Sequence, residues 1–171
     1  MKTLRQILSL IESDVIDLGQ ARQNRSSKKF ERKIQSLSKA VPEALDKQRA
    51  VEQTVNKKVM EIHNKGKNKF ALPHIQSQYG PNIHSIEALD FHMPLISGTT
   101  RWYMEEPDPV VEQHVRENKQ AILDDINEKI KQFESLRSIA NEAPAPQYPN
   151  GVITNKINHW SRMRANFAKH E

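Results

Sequence analysis

DPVVEQHVRENKQAILDDINEKIKQFESLRSIA, residues 108–140, decides the fold class of this 171-residue chain. Val111, Val115, Ile122, Ile126, Ile130, Phe133, Leu136 and Ala140 recur at steps of three, four or seven, the spacing of one apolar stripe on an α-helix. Glu117, Asp124, Asp125 and Glu128 fall mainly outside that stripe. Asp108 followed by Pro109 is an N-cap and first-turn pair: a short acceptor side chain can take an orphan N–H, and proline needs none. The spacing therefore predicts a long helix over 109–142, on the order of 45 Å at ~1.5 Å per residue.

Toward the N-terminus the helical period persists. Leu4, Ile7, Leu8, Ile11, Val15 and Leu18 predict a first helix that Gly19 weakens or ends. Phe30, Ile34 and Leu37 mark a second, short amphipathic segment entered through Ser26 and Ser27. Pro42 reads as the first-turn residue of a third helix, carried by Leu45, Val51, Val55, Val59 and Ile62 to about His63. These helices are expected to form a hairpin. Residues 71–108 read as a connector, because Pro73, Gly80, Pro81, Pro94, Gly98 and Pro107 interrupt any helix. Within it Ile96, Thr99, Thr100, Trp102 and Tyr103 favour extended structure, leaving room for one or two short strands. Pro144, Pro146 and Pro149 make residues 143–152 a stiff linker. A last amphipathic, basic helix over 153–171 carries Ile153, Ile157, Trp160, Met163 and Phe167 on one face, expected to dock on the helical core. The expected fold is mainly α: an elongated helical bundle or hairpin, with 1–142 as a single domain divided into a basic helical part (1–70), the connector and the long helix.

Composition narrows the function. No cysteine is present, which excludes disulfides, thiolate metal sites and cysteine nucleophiles and suits a reducing, cytoplasmic setting. Apolar runs are far shorter than the ~20 residues a membrane helix needs, and Met1 to Ile11 lacks a signal-peptide pattern, so neither membrane insertion nor secretion is expected. The net charge of +5 hides an asymmetry. Residues 1–70 hold 16 Lys/Arg against 8 Asp/Glu, whereas residues 71–143 hold 6 against 12. Either a positive surface faces phosphates, or basic and acidic segments neutralise each other on folding.

Two basic groups carry the phosphate reading. Arg22, Arg25, Lys29 and Arg32 step by three and four, with Lys28 and Lys33 beside them, and on a helix they form one cationic stripe able to follow a phosphate backbone. The alternative is a solvated face. Lys65, Lys67 and Lys69 surround Gly66 at a helix end, where phosphate contact and ordinary helix capping are equally expected. Arg101, Trp102 and Tyr103 could stack on bases or sit in a core.

Signatures of catalysis are few. No glycine-rich phosphate loop, paired-histidine zinc motif or nucleophile elbow occurs, and the seven histidines lack ligand spacing, so no catalytic residue, metal or cofactor is expected. Pro107, Asp108, Glu117 and Lys119 match the letters of a PD...ExK nuclease motif, in which two carboxylates hold a divalent ion. Here the ExK triplet lies within an amphipathic helix rather than on a strand.

The run Ile86, Glu87, Ala88, Leu89, Asp90, Phe91, His92, Met93, Pro94, Leu95, Ile96, Ser97 resembles the central part of bacterial replication-terminus site-binding proteins, the Tus family. The likeness continues in patches through Arg101, Asp108, Pro109, Asn118, Lys119 and Ile122 to about Leu136. It implies a monomer that grips duplex DNA and obstructs a replication fork, with Lys119 matching a lysine that contacts DNA. Ile86 and Asp90 stand where that family has an aromatic residue and a histidine around a flipped cytosine, and no glycine follows Pro94, so the likeness does not extend to base locking.

Three functions are therefore expected in descending order. The first is nucleic-acid binding, duplex DNA ahead of RNA, by electrostatic backbone contact and steric blockade of replication. The second is an assembly or adaptor role in which long helices pack on an acidic protein partner, and the third is a metal-dependent nuclease. No membrane partner is expected.

Overall fold

The computed structural model describes residues 5–6, 27–80, 82–93 and 108–169, with side chains along the first long helix described from Arg32 onward. The protein is mainly α. Its helices are α1 (Ser27–Asn64), α2 (Pro73–Tyr79), α3 (Ser85–Phe91), α4 (Pro109–Ser135), α5 (Arg137–Ala140) and α6 (Gln147–Lys169). No strand occurs among the described residues. The expected first helix over Leu4 to Leu18 falls almost wholly outside them, as do the expected strands around Leu95 to Met104 and the Arg101, Trp102, Tyr103 cluster. Among the described residues no helix is long and apolar enough to cross a membrane.

Helix α1 corrects the expected break at Pro42, which lies inside one continuous 38-residue helix. Proline removes an N–H donor and crowds the carbonyl four residues back, so it ordinarily ends or bends a helix. Here one face continues past the proline, apolar but for Gln48: Ile34, Leu37, Val41, Leu45, Gln48, Val51, Val55 and Val59 step by three or four along it. Pro42 itself is exposed and lies off that row. The row changes character along its length. Gln48, Val51, Val55 and Val59 are buried, whereas Ile34 is 48% and Leu45 38% exposed.

Helix α4 follows its sequence closely. The Asp108 carboxylate accepts the Val110 N–H at 2.9 Å, Pro109 opens the helix, and all eight residues of the stripe from Val111 to Ala140 are buried. The helix stops at Ser135, and α5 takes up the last turn of the pattern after Leu136.

The chain folds into two compact units, with boundaries at Asn56/Lys57, Leu136/Arg137 and Gly151/Val152. In the first, the expected linker 143–152 is instead packed structure: Ala143, Pro144, Ala145 and Pro149 are buried, and α6 has begun by Gln147. Two things fix it. Gln48 accepts the Ala145 N–H at 2.8 Å and donates to the Ala145 carbonyl at 3.2 Å. Proline is also tolerated in a helix's first turn, where its missing N–H has no partner to lose.

In the second unit the expected connector contains α2 and α3, and α3 packs on both α2 and α4. Trp160, Met163 and Phe167 of α6 are buried in this unit, the docked arrangement expected for that face.

Candidate functional site

The cations singled out in the sequence separate into two groups. Arg22 and Arg25 lie outside the described residues; Lys28 and Lys29 lie on α1, with side chains outside the description. Arg32 and Lys33 are exposed on that helix, and Lys39 continues them. At 3.6 residues per turn, Arg32, Lys39 and Lys57 fall opposite the apolar row, whereas Lys33 and Lys58 lie at the edge of that row. Beyond Lys39 the exposed acids Glu43, Asp46 and Glu61 share this side. The cationic run is thus concentrated in residues 28–39, where five Lys/Arg face Glu31 alone.

The lysines around Gly66 are differently occupied. Lys65 donates to Glu128 at 3.0 Å, and this hydrogen bond with its charge holds the Glu128 carboxyl below its usual range. Lys69 lies 3.7 Å from Asp125 and over the Phe70 ring. Lys67 is half-buried, and its carbonyl accepts the Ser85 N–H at 3.0 Å. Gly66, at φ 65°, turns the chain out of α1 in the left-handed region that favours glycine. Lys129 reaches the same end from α4, its ammonium donating to the Lys65 carbonyl at 2.5 Å and the Ile62 carbonyl at 3.3 Å. This region therefore has the capping geometry, with α4 carboxylates answering its cations. Lys119 is half-buried on α4.

The nuclease letters do not converge. Asp108 is engaged by Val110 and by His74, whose Nε2 lies 3.1 Å from Oδ2. Burial would raise its carboxyl pKa, but these donors outweigh it and the value is lowered. Glu117 lies nine residues further along α4, about 13 Å by helical rise, and receives Gln113 at 2.9 Å. Among the described residues no group of histidine and acidic side chains could hold a metal ion.

A second polar locus was not visible in the sequence. His63 ends α1, His84 caps α3, Glu87 lies in α3, and His159 and Trp160 lie in α6. The His159 Nε2 donates to Glu87 Oε1 at 2.7 Å, the His84 N–H donates to Glu87 Oε2 at 3.2 Å, and His63 Nε2 is 3.7 Å from that same oxygen. Burial would raise the Glu87 carboxyl pKa, yet His159, His63 and the His84 backbone together bring it to about 2.

His84 accepts the Ile86 N–H through Nδ1, so it caps α3 as a neutral ring protonated at Nε2. Burial, with the nearby Lys129 charge, lowers its pKa to about 4; burial also lowers that of His63. The Trp160 ring packs edge-on against all three histidines. Beside the Glu87–His159 pair opens a cavity of about 350 Å³, rimmed by Tyr79, Ile83, Phe91 and Arg162. The only local trace in the sequence is the three-residue step from His84 to Glu87, a capping-box spacing with histidine in the serine position.

No protein-family model matches this chain, and neither does any curated protein or solved structure.

Proposed function

We propose that the protein binds nucleic acid, duplex DNA ahead of RNA, along the cationic side of the first part of α1. The observation that carries the reading is the exposure of Arg32, Lys33 and Lys39 on the helix that also bears Lys28 and Lys29, with Glu31 as the single acid in the run. A helix presenting cations along one side can follow a phosphate backbone and release its counterions. It supplies affinity without base readout, because lysine and arginine on phosphates position a protein but do not specify sequence. Lys65 and Lys69 are set apart from the contact surface, since Glu128 and Asp125 already answer them. The resemblance to replication-terminus proteins favours duplex DNA and a blocking role.

The test is a binding titration of the purified chain against duplex DNA, single-stranded DNA and RNA at several salt concentrations. The reading expects salt-dependent affinity with duplex preferred. Absence of binding to all three at low salt overturns it.

A second reading, a protein adaptor, is favoured by one observation: Ile34 and Leu45 are exposed on the face that becomes core from Gln48 onward. An apolar row at helical spacing suits a partner groove, and phosphate contact has no use for it. A stable complex or oligomer in light scattering, without nucleic-acid affinity, would favour this reading.

A further inference from the structure

We infer that the cavity beside Glu87 and His159 is a binding site for a small aromatic anion, one ring bearing a carboxylate or phosphate on a short tether. The site is independent of the cationic side of α1. Four observations lead to it.

The first is size. About 350 Å³ lies at the lower end of the ~300–1,000 Å³ typical of small-molecule pockets, which suits one ring and a charged group.

The second is the rim. Tyr79 and Phe91 contact each other edge-on, with centroids 5.2 Å apart, and Tyr79 is tied further to His92 at 3.3 Å. Both rings are half-buried and fixed before any ligand arrives, while buried Met163 provides a soft floor. Such a surface recognises a planar apolar group.

The third is the balance of charge. The acids of the cavity are satisfied internally: Glu87 accepts from His159 and His84, and Asp90 accepts from Asn166 at 2.6 Å. Arg162, one turn after His159, makes no ion pair or hydrogen bond among the described residues. A guanidinium offers a planar fork of donors that a carboxylate or phosphate fills with two parallel hydrogen bonds.

The fourth is the arrangement of the pair itself. With Glu87 ionised, the His159 proton sits on Nε2 and points at the carboxylate. That hydrogen bond turns the negative charge inward and leaves the guanidinium to meet the ligand's anionic end.

The test uses the full chain, isotopically labelled, titrated with 3-phenylpropionate and followed by amide shifts. Two controls separate the elements of recognition: 3-phenylpropan-1-ol keeps the ring without charge, and propionate keeps the charge without the ring. The expected result is shifts centred on α3 and the Tyr79 and Arg162 segments, with the aromatic anion bound at least several-fold more tightly than either control. Arg162 is exposed, so Arg162→Gln is expected to fold; it should weaken the anion by roughly five- to tenfold and leave the alcohol unchanged. Equal affinity for the alcohol, shifts elsewhere in the chain, or an unchanged anion affinity in Arg162→Gln would each overturn the site.

Discussion

Lys65 donates to Glu128 across 63 residues of sequence at 3.0 Å, joining the end of the basic segment to the acidic long helix. With Lys69 near Asp125, it sets the cations at the end of α1, which face carboxylates of α4, apart from the exposed Arg32 and Lys39 earlier on that helix. Part of the electrostatic asymmetry of the sequence is thus neutralised on folding, between the end of α1 and α4.

On the proposed nucleic-acid-binding reading, double substitution Lys65→Gln/Lys69→Gln should leave the salt dependence of binding nearly unchanged, because exposed pairs of this kind contribute little and the proposed surface does not include these lysines. A titration in which the slope of log K against log salt drops by more than about one would place them on the phosphates instead.

Lys129 is a structural cation. Only 3% exposed, it donates to the Ile62 carbonyl of α1 and to the Lys65 carbonyl just beyond that helix, lies 3.4 Å from Asp125 and sits 5.5 Å from the Trp160 ring centroid. Lys129→Met keeps roughly the length of the side chain but takes the ammonium from the Lys65 carbonyl and from the mostly buried Asp125 carboxylate, which keeps only Lys69 at 3.7 Å. Urea denaturation should register a loss of about 2–4 kcal/mol; a loss below ~1 kcal/mol would contradict the capping role.

Gln48→Leu removes the amide that satisfies both polar groups of Ala145. The buried Ala145 N–H is left unpaired and its carbonyl keeps only the Tyr148 N–H at 3.4 Å, which should destabilise the fold by about 1–3 kcal/mol even though leucine suits the apolar row. An unchanged midpoint would mean that 143–152 behaves as a linker after all.

Stability should fall as pH drops below neutral. His84 is neutral in its capping role and its folded pKa is about 4, below the ordinary 6.5, so the unfolded chain binds the proton more readily. Its contribution is complete above pH 6.5 and is lost progressively down to about 4, a change on the order of 3 kcal/mol. Glu87, lowered from 4.5 to about 2, adds stability that is present above 4.5 and is lost as pH falls toward 2. His84→Asn keeps an acceptor at the cap without titrating near neutrality. In denaturation series from pH 7 to 5 it should flatten the decline, and a decline as steep as the parent's would remove His84 from the account.

How much of this was legible depended on the range of the interactions involved. The stripe from Val111 to Ala140 and the Asp108–Pro109 start are local patterns, and both stand in the structure. Pro42 misled because its local preference for a helix start competes with a face that runs unbroken from Ile34 to Val59, and that longer pattern prevails. The prolines of 143–152 misled for the opposite reason. Nothing within that stretch reveals Gln48, 97 residues away, holding Ala145 in a buried turn. The Glu87 cluster draws on three segments, with His159 72 residues from Glu87, so no spacing rule could assemble it. Of the basic stripe, only the helix from Lys28 to Lys33 lies within the described residues, and nothing in the sequence pointed to Glu128 and Asp125 as the partners of Lys65 and Lys69.

The most direct measurement is the salt slope of duplex DNA binding for the full chain and for Arg32→Glu/Lys33→Glu/Lys39→Glu, three exposed positions whose replacement leaves the core intact. Each phosphate that the protein no longer neutralises should reduce the magnitude of the slope by about 0.9, so the triple variant is predicted to bind more weakly and to flatten the slope by roughly two to three. A triple variant with the parent's affinity and slope would contradict the claim that this side of α1 meets the phosphates.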